Sequence, residues 1–124
     1  MDNYKLIQPA HLNHYGFLFG GNMLQWVDEY AYINASADFP GQRFVTISLS
    51  DLVFRKSVHC GDIILVRTAM AHLGRTSVQY DARVFRATST TANAPVGEQI
   101  FHTRITYVCV DTNGQKIPLP ERKE

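Results

Sequence analysis

The feature that most constrains the fold of this chain is a stretch without proline from Asn22 to Phe39. Its apolar residues recur at the i, i+3, i+4, i+7 spacing of a helix, and further apolar residues fill the other side. These positions are Met23, Leu24, Trp26, Val27, Tyr30, Ala31, Tyr32, Ile33, Ala35 and Ala37. Asn22 is the predicted N-cap, so about 16 helical residues would form a rod of roughly 24 Å. Because this helix has no clean polar face, we expect it to be buried.

Two carboxylates, Asp28 and Glu29, interrupt the apolar helix near its middle. A buried carboxylate must be paired, reach solvent through a cleft, or take part in chemistry. Gly20 and Gly21 precede the helix, where their amides would lie at the positive end of its dipole without an obstructing Cβ. Asp28 is therefore a candidate base and the two glycine amides a candidate oxyanion site. The structural alternatives are a hydrogen-bonded buried acid and glycines that permit close packing, and Glu29 is interpreted as a solvated or interface carboxylate.

The rest of the chain is predicted to form β-strands separated by turns. A weak strand precedes the helix over 4–7, and four follow it, over 45–54, 63–72, 78–84 and 99–110. Apolar alternation changes phase at Asp51, which predicts a bulge or bend there. A flexible loop is predicted over 87–96, and the tail from Pro118 is expected to be extended and solvated. One helix with an antiparallel sheet indicates an α+β fold, in which the sheet curves around the helix.

The composition of the 124-residue chain excludes several classes of protein. The formal charge of +1 argues against a surface dedicated to nucleic acid. With only Cys60 and Cys109, and no apolar signal or membrane segment, we expect one cytoplasmic domain over residues 1–124. His11 and His14 are close in sequence, but no cysteine or carboxylate set completes a metal site, so no metal is expected. The edges of so small a sheet favour a dimer.

A series of motifs resembles the hot-dog-fold acyl-CoA thioesterases, and more narrowly the branch of the YciA enzymes and the brain acyl-CoA hydrolases. The motifs are Asn13-x-x-Gly16-x-x-x-Gly20-Gly21, Asp28-Glu29, Phe54-Arg55-Lys56, Gly61-Asp62, Gly74-Arg75-Thr76-Ser77 and Tyr107-Val108-x-Val110-Asp111 with Gly114 and Pro118-x-Pro120. The resemblance covers about residues 7–120, and Ser57 stands where the family usually has proline.

The resemblance implies a hot-dog fold and hydrolysis of fatty-acyl or short-acyl thioesters of coenzyme A, without a further cofactor. Asp28 matches the catalytic carboxylate of the family and Asn13 its catalytic asparagine, which comes from the other subunit of a dimer. Such dimers often assemble into hexamers. Asp28 would act as general base on water, or as nucleophile, and Asn13 would hold the water or the carbonyl.

Cationic residues beside two turns are candidate ligands for the phosphates of coenzyme A. They are Arg55, Lys56 and Arg75. The segment Gly74-Arg75-Thr76-Ser77 could add a small anion-binding nest of backbone amides. A solvated charge is the structural alternative for each cation.

Two other functions fit a hot-dog domain. An acyl-thioester dehydratase or hydratase would use a histidine near the start of the helix, which this chain lacks. A non-catalytic acyl-CoA-binding module would keep the pocket without the acid, whereas this chain has both Asn13 and Asp28. No Gly-x-Ser-x-Gly motif indicates a serine triad. The sequence leaves the acyl-chain length open.

Overall fold

The computed structural model describes residues 1–87 and 96–121, which form one helix packed against one antiparallel sheet. The elements are β1 (Asp2–Leu6), a 3-10 turn (Pro9–His11), α1 (Gly20–Asp38), β2 (Arg43–Phe54), β3 (Ile63–Leu73), β4 (Ser77–Ala87) and β5 (Val96–Val110). Along the sheet the strands follow the order β1-β3-β4-β5-β2. The predicted α+β class, with one long helix and five antiparallel strands, is confirmed.

Helix α1 begins at Gly20, earlier than the sequence predicts. The carbonyl oxygen of Phe19 accepts hydrogen bonds from the amides of Asn22 and Met23 at 3.0 and 3.4 Å, which closes the first turn. The predicted N-cap at Asn22 is therefore wrong. Its side-chain Nδ2 instead donates to the carbonyl oxygen of His11 at 2.9 Å and ties the preceding loop to the helix.

The helix buries one face rather than its whole circumference. The buried positions are Met23, Trp26, Val27, Ala31, Asn34 and Ala35. They pack on the inward side chains of the sheet, which include Tyr80, Ala82, Val84, Phe101, Ile105 and Tyr107. Tyr32 and Ile33 stay exposed at 37% and 44%. The prediction of a helix buried all round is wrong for a single chain, because five strands cover only one side of it.

Strand β2 lies at one edge of the sheet and carries the predicted bulge. Asp51 has a left-handed φ of 57°, and the pairing with β5 shifts register between Ser50 and Val53. The bulge predicted at Asp51 is therefore confirmed. A second shift, which the sequence did not indicate, lies between Thr46 and Ser48.

Strand β2 carries exposed apolar side chains along the free edge of the sheet. Its exposed apolar side chains are Val45, Ile47, Leu52, Val53 and Phe54. An unpaired sheet edge with exposed apolar side chains is a surface on which a further strand can pair. The edge therefore offers a surface for self-association.

The segment after β5 folds back onto the domain. The amide of Ile117 donates to the carbonyl of Cys109 at 3.0 Å, and that of Leu119 donates to the carbonyl of Arg75 at 2.8 Å. Both apolar side chains are half-buried against the core. The prediction of a solvated tail is wrong at Leu119, since apolar burial and backbone hydrogen bonds hold it. The loop predicted over 87–96 lies outside the described residues except at its ends.

In the described ranges, no helix has both the length and the hydropathy that a membrane crossing requires.

Candidate functional site

Asp28 lies on the wall of an open cavity of about 270 Å³. The cavity is lined by Gln25, Asp28, Glu29, Tyr32 and Thr46. Asp28 is half-buried and Glu29, on the next position of the helix, is exposed. The carboxylate predicted to act in chemistry thus reaches solvent through a cleft.

One oxygen of the Asp28 carboxylate accepts two hydroxyl hydrogen bonds. Thr46 Oγ1 donates to Asp28 Oδ1 at 3.0 Å, and the Tyr107 hydroxyl donates to the same oxygen at 2.9 Å. Thr46 and Tyr107 are paired across β2 and β5, so the strand register sets both hydroxyls at one level beneath the helix. Asp28 Oδ2 has no protein partner among the residues that the structure describes. The free oxygen is the one available to water or substrate.

Tyr107 is fully buried beneath this carboxylate. Burial, followed by the negative charge of Asp28 and the hydrogen bond to it, raises the pKa of Tyr107 far above its ordinary value. The phenol therefore stays protonated and remains a donor to Asp28 over the range in which proteins are folded.

A second group of predicted site residues lies at the start of α1. Asn13 Oδ1 accepts hydrogen bonds from the amides of Tyr15 and Phe17 at 2.9 and 3.1 Å, which fixes the loop before the helix. The Asn13 Nδ2 group has no partner in the described ranges and can donate. The amides of Gly20 and Gly21 likewise make no hydrogen bond within those ranges, as expected for the first residues of a helix.

A cavity of about 330 Å³ opens at the same end of the helix. It is lined by Phe17, Leu18, Met23, Phe54, Arg55, Lys56, Ser57 and Val58. Arg55 and Lys56 thus line an otherwise largely apolar cavity. This arrangement suits an amphipathic ligand that carries both an apolar chain and anionic groups.

The segment Gly74-Arg75-Thr76-Ser77 forms the turn between β3 and β4, at the opposite end of the sheet from Arg55 and Lys56. The Gly74 amide donates to the Ser77 carbonyl at 2.8 Å and closes this turn. The carbonyl oxygens of Arg75 and Thr76 accept hydrogen bonds from Leu119 and Cys109. These contacts hold the turn, and within one chain it does not meet the cavity lined by Arg55 and Lys56.

Within one chain, the predicted site residues on and before α1 therefore form two separate groups. Asp28 follows Gly20 by eight positions, which is about 12 Å along a helix axis. Asn13, Gly20 and Gly21 lie at the start of α1, whereas Asp28 lies with Thr46 and Tyr107. A single reacting carbonyl cannot contact both groups.

Sequence reasoning missed Thr46 and Tyr107 as partners of Asp28. Tyr107 was visible as the first residue of the motif Tyr107-Val108-x-Val110-Asp111, but no signal marked Thr46. Over residues 1–87 and 96–121, no three His, Cys, Asp or Glu side chains are grouped closely enough to hold a metal ion.

Comparison with known sequences relates this chain to acyl-CoA thioesterases. A family model described as the thioesterase superfamily matches residues 15–93. Acyl-CoA thioester hydrolase YciA of Salmonella typhimurium is 30% identical over 117 residues, a match that covers 93% of this chain and 86% of that protein. The uncharacterized acyl-CoA thioester hydrolase YkhA of Bacillus subtilis is 26% identical over 112 residues, or 90% of this chain. Acetyl-coenzyme A thioesterase of Mus musculus is 30% identical over 113 residues, or 81% of this chain. The chain spans 63% of the length of YkhA and 20% of the length of the mouse protein.

A solved structure shares the fold. A hexameric hotdog fold thioesterase of Campylobacter jejuni superposes with a TM-score of 0.81 at 28% identity, over 95% of this chain and 88% of that one. The predicted hot-dog fold is confirmed by this match.

Proposed function

Because this chain belongs to the thioesterase superfamily, we propose that it hydrolyses acyl-CoA thioesters to a free acid and coenzyme A. The observation that carries the proposal is the Asp28 carboxylate, which lines an open cavity with two hydroxyls on Oδ1 and with Oδ2 left free. A carboxylate so held can accept a proton from water without losing its orientation. YciA, of which this chain covers 86%, is an acyl-CoA thioester hydrolase, and this supports the proposed substrate class.

The proposed reaction uses groups at the start of α1 and the Asp28 carboxylate near its middle. Asp28 Oδ2 takes a proton from water as the water oxygen attacks the thioester carbonyl. The amides of Gly20 and Gly21 stabilise the oxyanion, a contribution of about 10²–10³ in rate per donor in characterised acyl-transfer sites. The Asn13 amide positions the carbonyl or the water. When the carbon–sulfur bond breaks, the proton passes to the departing thiolate.

Direct attack by Asp28 is the second route, through a mixed anhydride with the acyl group. A single turnover in ¹⁸O-labelled water separates the two routes. General-base catalysis places the label only in the product acid. Nucleophilic attack, followed by water attack on the aspartyl carbonyl, places the label in Asp28 and an unlabelled oxygen in the acid.

We propose that Asn13 and the glycine amides of one chain meet Asp28 of the other chain in a two-fold dimer. Antiparallel pairing of two β2 edges would put the Phe54 end of β2 in one copy beside the Arg43 end in the other. The start of α1, with Gly20 packed near Phe54, would then approach the partner's Thr46 and Asp28. The exposed apolar side chains of the β2 edge would be covered by the same contact. Assembly of three dimers into a hexamer is the further proposal, since the Campylobacter jejuni relative is hexameric.

The coenzyme A moiety is proposed to lie along the cavity at the start of α1. Arg55 and Lys56 would bind its phosphates, and the apolar wall formed by Phe17, Leu18 and Val58 would contact the pantetheine or acyl chain. The turn of Gly74, Arg75, Thr76 and Ser77 is proposed as a phosphate contact supplied by another copy, because within one chain it lies at the opposite end of the sheet from this cavity.

The test is release of free thiol from a series of acyl-CoAs of increasing chain length, with binding measured in parallel by calorimetry. Thiol release in stoichiometric yield with the free acid supports the proposal. Binding without turnover would indicate a non-catalytic acyl-CoA module. Consumption of an enoyl-CoA without thiol release would indicate a hydratase. Either result would contradict the proposed hydrolysis.

A further inference from the structure

We propose that Tyr107 is a positioning residue that fixes the Asp28 carboxylate, so that Oδ2 alone acts on the substrate. This inference rests on the proposed function of Asp28 and adds to it a role for a residue on the sheet. It gives a role to Tyr107, the first residue of the motif Tyr107-Val108-x-Val110-Asp111, for which the sequence alone suggested none.

The Tyr107 hydroxyl contacts two oxygens of the same residue. It lies 2.7 Å from the main-chain oxygen of Asp28 and 2.9 Å from Oδ1 of its side chain. Because the single hydroxyl hydrogen is shared between these two acceptors, the carboxylate is held next to its own main-chain oxygen, and rotation about the first side-chain bonds breaks the contact with Oδ1. Thr46, which binds Oδ1 alone, does not restrict the side chain in this way.

The ring that carries this hydroxyl is itself held in place. Tyr107 packs edge-on against Tyr32 at 5.8 Å between ring centroids, and lies 6.2 Å from both Phe44 and Tyr80. It is fully buried. Three aromatic rings, one on the helix and two on strands β2 and β4, therefore fix the ring that carries the donor, and the donor fixes the acid.

Proton balance assigns the two oxygens of Asp28 different tasks. Oδ1 accepts hydrogen bonds from the hydroxyls of Thr46 and Tyr107, and the Tyr107 phenol stays protonated because burial and the charge of Asp28 raise its pKa. The proton that leaves the attacking water must therefore go to Oδ2 and return from there to the thiolate. Tyr107 takes no part in the transfer, and its contribution is the orientation of the base.

The test compares Tyr107→Phe with Thr103→Val. Thr103 is a matched control because it is also fully buried on β5 and its hydroxyl donates to the main-chain oxygen of Ser50 at 2.8 Å. We expect Tyr107→Phe to lower kcat about 10–100-fold, as does misplacement of a reacting group by about 1 Å, with KM nearly unchanged. We expect Thr103→Val to keep kcat near that of the wild type, although both variants lose a hydrogen bond from a buried hydroxyl.

Wild-type kcat in folded Tyr107→Phe, or an equal loss of kcat in the two variants, would overturn the inference. If Tyr107→Phe does not fold, the replacement Tyr107→4-fluorophenylalanine keeps the ring and fills most of the space of the hydroxyl without a donor, and the same loss of kcat, about 10–100-fold, is expected. Wild-type kcat in that variant would overturn the inference equally. An inactive wild-type protein would instead contradict the proposed function, so the two failures are distinguishable.

Discussion

Two inactive variants of this chain, Asn13→Ala and Asp28→Asn, are expected to restore activity when they are co-expressed. The reason is geometric. Asp28 lies about 12 Å along the helix from Gly20, whereas a base and an oxyanion donor must each lie roughly 3 Å from the reacting atoms. If the site joins Asn13 of one chain to Asp28 of the other, a mixed dimer has one site with both residues intact and one with neither.

The expected magnitude follows from counting sites. Random pairing at equal expression makes half of the dimers mixed, and half of the sites in these are intact, so about one quarter of wild-type activity is predicted. Activity is measured as free-thiol release after purification through one affinity tag that both chains carry, so that all three kinds of dimer are retained. The control pairs Asp28→Asn with the double variant Asn13→Ala/Asp28→Asn, which leaves no intact site. Activity no higher than this control in the first pair would refute the composite site.

Three further predictions concern assembly and stability. Ile47→Lys is expected to raise the dissociation constant of the dimer at least about 30-fold in sedimentation measurements. The reason is that a half-exposed isoleucine that becomes buried contributes roughly 1 kcal/mol in each of two copies. An unchanged dissociation constant would exclude β2 from the interface. Asp51→Val is expected to lower the free energy of unfolding by about 1–2 kcal/mol, since a left-handed φ disfavours a branched side chain. Asp51→Gly is expected to change it by less than about 1 kcal/mol. Equal denaturant midpoints for the two variants would contradict this. Partial burial raises the pKa of Asp81, but hydrogen bonds from His102 and Arg104 and nearby positive charges outweigh burial and hold it below its ordinary value. The stability from this shift is therefore full above about pH 4 and lost as pH falls through the folded-state pKa. Asp81→Asn should flatten the acid limb of a plot of Tm against pH, and an unaltered limb would argue against the network.

Local patterns in the sequence were sufficient to predict the elements of the fold. Helical spacing of apolar residues located α1, alternation located the strands, and the change of phase at Asp51 located a bulge. Each of these signals depends on neighbours in the chain. The start of α1 escaped prediction because the Phe19 carbonyl, rather than a polar side chain, accepts the first amides.

The candidate site was predicted only in part, since its contacts depend on strand register. Thr46 and Tyr107 lie 18 and 79 positions from Asp28 in the chain, and only the pairing of β2 with β5 brings them together. The one-sided burial of α1 also depends on where the sheet ends, which apolar periodicity does not reveal. The separation of Asn13 from Asp28 within one chain was implied by the family resemblance alone, because helical periodicity does not place the loop that carries Asn13.

The central claim is that Asp28 is the base in acyl-CoA hydrolysis. Its most direct test is the effect of Asp28→Asn on kcat/KM for the best acyl-CoA substrate, measured beside Glu29→Gln. Both carboxylates line the same cavity on adjacent helical positions, so the pair separates a specific base from general negative charge. We predict a loss of about 10²–10⁴-fold for Asp28→Asn, the usual contribution of a general base. Glu29→Gln should keep kcat/KM close to that of the wild type. An Asp28→Asn protein that is folded and hydrolyses acyl-CoA at the wild-type rate would contradict the account.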